Sequence, residues 1–183
     1  MKFIPQSIAD VILIEPTVHG DDRGYFMESF KQDVFEDAVG YKVNFIQDNE
    51  SKSTKGVLRG LHYQLPPYAQ AKLVRVIKGS VLDVAVDIRQ NSNTFGRYIS
   101  LILSEENKKQ LFIPKGFAHG FVVLSEEAIF SYKVDNHYAP QHEQTIIWND
   151  NDLDIDWHVD GITPLSSNKD NNGVSFKHAK YYD

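Results

Sequence analysis

The chain contains no cysteine. Disulfide staples, thiolate nucleophiles and thiolate-bound metals are therefore excluded, and this usage fits a reducing compartment. The chain also lacks any apolar run approaching the ~20 residues that cross a bilayer, and its N-terminus has no charged segment leading into an apolar stretch and cleavage site. Neither membrane insertion nor secretion is expected, and the expected location is cytoplasmic. A third absence is local. From Ser51 through Leu82 there is no Asp or Glu, although the chain as a whole carries a net charge of -6. The same segment holds Lys52, Lys55, Arg59, Lys72, Arg75 and Lys78. An acidic chain is a poor general binder of nucleic acid, so no such partner is expected. A basic segment inside it points instead to a small anionic ligand held in a pocket. Roughly half of these cations are expected to be ordinary solvated side chains.

At 183 residues, with 42% hydrophobic and 24% charged residues, the chain suits one well-buried domain spanning 1–183. Strands are expected over 11–16, 25–29, 43–47, 97–103, 110–113, 122–124 and 128–134, with turn composition over 17–24. Residues 72–77 and 81–88, joined by Lys78-Gly79, read as a β-hairpin. In its second strand Leu82, Val84, Val86 and Ile88 share one face, and Asp83, Ala85 and Asp87 share the other. Those carboxylates meet solvent or enter a polar interior; alternation does not choose. One helix is expected where Phe30, Val34, Phe35 and Ala38 keep helical spacing ahead of Gly40. Beyond Asn136 the tail is polar, with strand-like residues over 145–148. Short strands with turn signals and a single convincing helix point to an all-β sandwich or barrel.

The stretch Val57-Leu58-Arg59-Gly60-Leu61-His62-Tyr63-Gln64 puts a guanidinium and an imidazole on one predicted strand. Strict alternation would send Arg59 and His62 to opposite faces. Gly60 lies between them without a Cβ, so a bulge there is the expected way to bring both to one pocket.

Pro114-x-Gly-x-x-His119 is similar to the second motif of the cupin superfamily, a jelly-roll fold, and Gly60-Leu61-His62 to the start of the first. Metal-binding cupins carry His-x-His and a later Asn, where this chain has Gln64 and Val123. His62, His119 and Asp83 could in principle hold iron or zinc, but imidazoles in a basic segment suit a cation poorly, and no metal is expected. The alternating Asp150, Asp152, Asp154 and Asp156 lack the glycine and glutamate of a calcium loop and read as a solvated acidic loop. Removing a proton next to a carbonyl needs a base, a cation at the developing enolate oxygen and an acid. His62, Lys72 and Tyr132 supply one of each.

The stretches GDDRGYFMESF (20–30), FIQDN (45–49), VLRGLHYQ (57–64), KLVR (72–75), VDIR (86–89), IPKGFAHGF (113–121) and LSSNKD (165–170) resemble, in order, those of the dTDP-4-dehydrorhamnose 3,5-epimerase family. The resemblance implies an all-β, cupin-type jelly-roll sandwich with a few short helices, working without metal or cofactor on a dTDP-linked 4-keto-6-deoxy sugar. It implies His62 as the base acting at C3 and C5, Asp170 orienting it, Lys72 at the enolate oxygen and Tyr132 as proton donor. Arg23 and Arg59 would hold the diphosphate, and Glu28, Gln47 and Asn49 the nucleoside end. His119, Glu143 and Lys169 would complete the pocket. The family's homodimer implies that Arg23 and Glu28 reach the neighbouring subunit through an exchanged N-terminal strand. The tail carries one residue more than the family's Leu-Ser-x-Lys-Asp. A relative acting at one carbon only, and a non-catalytic cupin that binds a nucleotide sugar, are the alternatives.

Overall fold

Two antiparallel sheets face each other, and the space between them divides into an apolar end and a polar end. The computed structural model describes residues 1–159, 161 and 163–182. Its strands are β1 (Lys2–Pro5), β2 (Ile12–Glu15), β3 (Val18–Asp21), β4 (Gly24–Met27), β5 (Gln47–Thr54), β6 (Leu58–Gln64), β7 (Lys72–Lys78), β8 (Ser80–Asp87), β9 (Tyr98–Ser104), β10 (Gln110–Ile113), β11 (Phe117–Val123), β12 (Glu127–Val134) and β13 (Glu143–Thr145). One sheet has the order β1-β2-β10-β7-β12-β5, the other β13-β6-β11-β8-β9, and β3 with β4 forms a separate ribbon. This is the all-β, cupin-like arrangement.

Period-two alternation sorts the side chains into layers. On β8, Val81 and Ala85 join the core between the sheets, while Leu82, Val84 and Val86, with Ile88 just beyond the strand, enter a cluster on the outer face. The C-terminal tail covers that outer face with Ile146, Leu153, Trp157, Phe176, Tyr181 and Tyr182. Helix α1 (Gln32–Val39) drops Phe35 onto the outer face of the six-stranded sheet, against Ile12, Ile14, Leu73 and Phe112. It stops at Gly40, whose φ of 82° is the left-handed end that glycine tolerates. Each large apolar side chain buried this way stabilises the fold by about 1.5–3 kcal/mol.

Four local expectations are corrected. Residues 72–88 do not form a hairpin: β7 pairs with β10 and β12, and β8 with β11 and β9. The chain changes sheets at Gly79, where a Cβ would lie 2.1 Å from the Glu127 carbonyl oxygen. Adjacent strands in a sandwich often belong to opposite layers, and alternation within each strand carries no information on that choice. The strand expected at 43–47 begins only at Gln47 and runs to Thr54 along the edge beside β12. An edge strand half exposed to water needs few apolar residues, so its polar sequence hid it. Residues 18–21, assigned to a turn, pair with β4. In the tail the paired segment starts at Glu143 rather than Thr145, held by β6. Of the acidic loop, Asp150 is buried, and its carboxylate accepts from the backbone N–H groups of Asp152, Leu153 and Phe176.

Candidate active site

The polar end of the interior is a cavity of about 270 Å³ lined by Asn49, Ser51, Arg59, His62, Lys72, His119, Phe130 and Tyr132, among others. Both sheets contribute: His62 and His119 from one, Lys72 and Tyr132 from the other. Arg59 and His62 share it because β6 carries one extra residue. Opposite β11, His62 pairs with His119 and Arg59 with Phe121, so three steps on β6 match two on β11. The outward residues of β6 are accordingly Leu58 and Leu61, three apart, both in the outer cluster. The bulge needs glycine on both strands. A Cβ on Gly60 would sit 2.5 Å from the Gly120 Cα, and one on Gly120 would sit 2.7 Å from the Arg59 carbonyl oxygen.

Each imidazole faces its own carboxylate. His62 Nε2 lies 2.7 Å from Asp170 Oδ1, an ion-pair contact rather than an aligned hydrogen bond. His119 Nε2 is hydrogen-bonded at 2.9 Å to Asp83 Oδ2. Asp83 is fully buried, so the carboxylate face of β8 enters the polar interior rather than solvent.

Asp170 is held from several sides. Ser167 caps α2 (Asn168–Asn171) in a reciprocal capping box: its hydroxyl accepts from the Asp170 N–H, and the Asp170 carboxylate accepts from the Ser167 N–H. The Ser167 hydroxyl donates to Asp170 Oδ2 at 2.6 Å, and the Gly60 N–H donates to Oδ1 at 3.1 Å. Burial raises the carboxyl's pKa, but these donors and His62 outweigh it and hold the group well below the usual carboxylate range. Ser167, Lys169 and Asp170 keep the Ser-x-Lys-Asp spacing at this cap.

Lys72 is pulled down to about 8 by burial, against the opposing charges of Asp83 and Glu143. Burial also lowers His119, which favours its neutral form. Burial raises Tyr132, against the nearby charge of Arg59, so the phenol keeps its proton.

The other candidate residues spread outward from this centre. Arg59 is steadied by Ser53, whose hydroxyl accepts from its Nε at 3.3 Å and Nη2 at 3.1 Å. Gln47 lies at the start of β5 and donates from its side-chain amide to Asn49 Oδ1 at 2.7 Å. Glu143 is joined to Lys169 at 2.5 Å and accepts from the Tyr138 hydroxyl at 2.7 Å, beside the cavity. Arg23 and Glu28 are not at this cavity: Arg23 stands on the β3–β4 ribbon paired with Asp21, its side chain 90% exposed. Of the six basic residues, Lys52, Lys55 and Lys78 make exposed ion pairs with Glu126 or Glu127. Arg59 and Lys72 face the cavity. Arg75 lines a separate hollow with Ser131 and Lys133.

Ser53 and Ser167 were passed over in the sequence. Ser167 had a signal, the Ser-x-x-Asp spacing of a capping box. Ser53 shares a face with Asn49 once β5 is known to be a strand.

A family model described as dTDP-4-dehydrorhamnose 3,5-epimerase matches residues 5–178. A Shigella flexneri protein of that name is 59% identical over 182 residues, covering 100% of this chain and 99% of the relative. The crystal structure of a Legionella pneumophila dTDP-6-deoxy-D-glucose-3,5-epimerase in complex with dTDP-4-keto-L-rhamnose is similar with a TM-score of 0.94 at 47% identity, covering 98% of this chain and 94% of that one. A 3'-monoepimerase from Streptomyces bikiniensis, solved with dTDP-quinovose, is similar with a TM-score of 0.88 at 36% identity, covering 93% and 86%.

Proposed function

The chain belongs to the dTDP-4-dehydrorhamnose 3,5-epimerase family, and on that premise we propose that it inverts C3 and C5 of dTDP-4-dehydro-6-deoxy-glucose to give dTDP-4-dehydro-rhamnose, in dTDP-L-rhamnose biosynthesis. The observation that carries this reading is the convergence of His62, Lys72 and Tyr132 on one cavity, with the imidazole on one sheet and the phenol on the other. His62 removes the proton beside the C4 ketone, and the C–H electrons move into an enolate. Lys72 offers its ammonium to the enolate oxygen, a charge that is worth most in a desolvated site. Tyr132 returns a proton from the opposite ring face, which inverts the centre. After proton exchange with solvent the same groups act on the second carbon. Asp170, 2.7 Å from Nε2, orients the His62 ring towards the substrate.

Arg59, held by Ser53, binds the diphosphate, and Gln47 and Asn49 meet the nucleoside end. His119, Glu143 and Lys169 complete the pocket. Arg23 and Glu28 serve the neighbouring subunit of a homodimer. What supports that part is the β3–β4 ribbon, which carries Tyr25 and Phe26 at 57% and 67% exposure together with the exposed Arg23. Strand β1 pairs with β2 of its own chain, which supports the ribbon rather than β1 as the exchanged element.

The test is solvent deuterium incorporation into the keto sugar, followed by proton NMR. Label at both C3 and C5 is the expected result. Label at one carbon makes the chain a mono-epimerase, the activity named for the Streptomyces bikiniensis neighbour. No label at either makes it a binding module.

A further inference from the structure

Asp83 is fully buried with one oxygen bound to His119, while its Oδ1 has no hydrogen-bond partner among the described residues. A carboxylate left half-satisfied in the interior is costly, and such a group calls for an explanation. His119, which it holds, stacks on Phe130 with ring centroids 6.1 Å apart. With Nε2–H committed to the carboxylate, a neutral His119 has its lone pair on Nδ1. The Nε2 bond is the one hydrogen bond of this side chain among the described residues, and His119 lines the cavity.

We propose that Asp83 is a positioning residue of this site: it fixes His119 as a hydrogen-bond acceptor towards the sugar, and supplies the buried negative charge that keeps Lys72 an ammonium. The inference rests on the reading of Lys72 as the enolate's cation. The charged and titratable groups around Lys72 come from every wall of the cavity. They are Asp83 on β8, Glu143 on β13, Lys169 on α2, His62 and Arg59 on β6, His119 on β11, Tyr132 on β12 and, at the exposed edge of the cavity, Glu50 on β5. Of the anions, Glu143 is already engaged by Lys169 and by the Tyr138 hydroxyl. Among the described residues Asp83 makes no ion pair except the one with His119, and of the anions near Lys72 it opposes the effect of burial most strongly.

The experiment uses Asp83→Asn, with Asp83→Ser as a second variant should the first fail to fold. Lys72 is titrated by NMR on lysine-labelled protein, its resonance assigned by loss in Lys72→Arg. The expected result is a Lys72 midpoint lowered by about one pH unit, with the alkaline limb of kcat/KM lowered in parallel. Imidazole nitrogen shifts should report His119 protonated on Nε2 in the wild type and not held there in Asp83→Ser. A Lys72 titration and a pH profile that superimpose on the wild type would overturn the proposal, as would an Nδ1–H tautomer in the wild type. A packing role alone would lower thermal stability and move none of these readouts. Because the titration needs no turnover, a shifted Lys72 without exchange at C3 or C5 would sustain the role of Asp83 and defeat the epimerase reading. Turnover with an unshifted Lys72 would do the reverse.

Discussion

His62 and His119 stand directly opposite each other across β6 and β11, and each turns Nε2 towards a different carboxylate, Asp170 at 2.7 Å and Asp83 at 2.9 Å. Their surroundings differ. The Asp170 carboxylate is gripped by Ser167 and the Gly60 N–H, while one Asp83 oxygen has no hydrogen-bond partner among the described residues. The first arrangement suits an imidazole that must gain and lose a proton, the second one that stays neutral.

Replacing His62 by Ala should cut kcat by roughly 10²–10⁴ or more, the usual contribution of a positioned general base. Affinity for dTDP, measured by calorimetry, should change by no more than a few-fold. A variant with undiminished exchange at C3 and C5 would remove His62 from the chemistry.

Ser167→Ala should cost about 1 kcal/mol of stability, the usual value of an N-cap. It should also lower kcat with little change in dTDP affinity, because Asp170 loses the hydroxyl that donates at 2.6 Å. Ser167→Thr keeps the donor and should restore both. Denaturant midpoints and steady-state kinetics on the two variants make the comparison.

Lys72 makes activity and stability respond to pH in opposite directions. Its folded pKa of about 8 lies below the ordinary 10.5. The unfolded chain therefore binds more protons between these values, and this group's contribution to stability rises with pH across that window. The enolate needs the ammonium form, so kcat/KM should fall as pH rises through about 8. A pH–rate profile flat to pH 10 would show that the charge of Lys72 is not used.

Asp87 contributes to the acid side of stability. Burial works against its charge, but Arg89, Ser92 and Thr94 donate to it and bring its pKa down to about 2 from 3.8. Stability from this group is present above the unfolded value and lost as pH falls through the folded one. The shift corresponds to about 2 kcal/mol at neutral pH. Asp87→Asn should lose at least that much in urea unfolding at pH 7, and its deficit against the wild type should shrink towards pH 2.

Gly60→Ala should destabilise the protein by on the order of 2–5 kcal/mol, combining a φ of 124° with a 2.5 Å approach to the Gly120 Cα. A melting temperature within a degree of wild type would mean that the bulge can relax.

Most of the layer structure was legible along the chain. The alternation of β8 and the spacing ahead of Gly40 reappear in the buried clusters and in α1. So does the bulge at Gly60, since a residue lacking Cβ between an arginine and a histidine is itself a geometric statement. The edge strand β5 was not legible, because half its residues face water and its pairing energy comes from the backbone of β12.

Local sequence determined which residues could carry proton chemistry and which faces of each strand are apolar, because those properties depend on side-chain type and on a two-residue period. Tertiary structure alone decided that β7 and β8 lie in opposite sheets, that Asp83 points inwards and that Asp170 reaches His62 from 108 positions away in the chain. Those outcomes follow from how two sheets and a tail pack together. That packing brings a buried carboxylate, a half-buried ammonium and two imidazoles to one cavity.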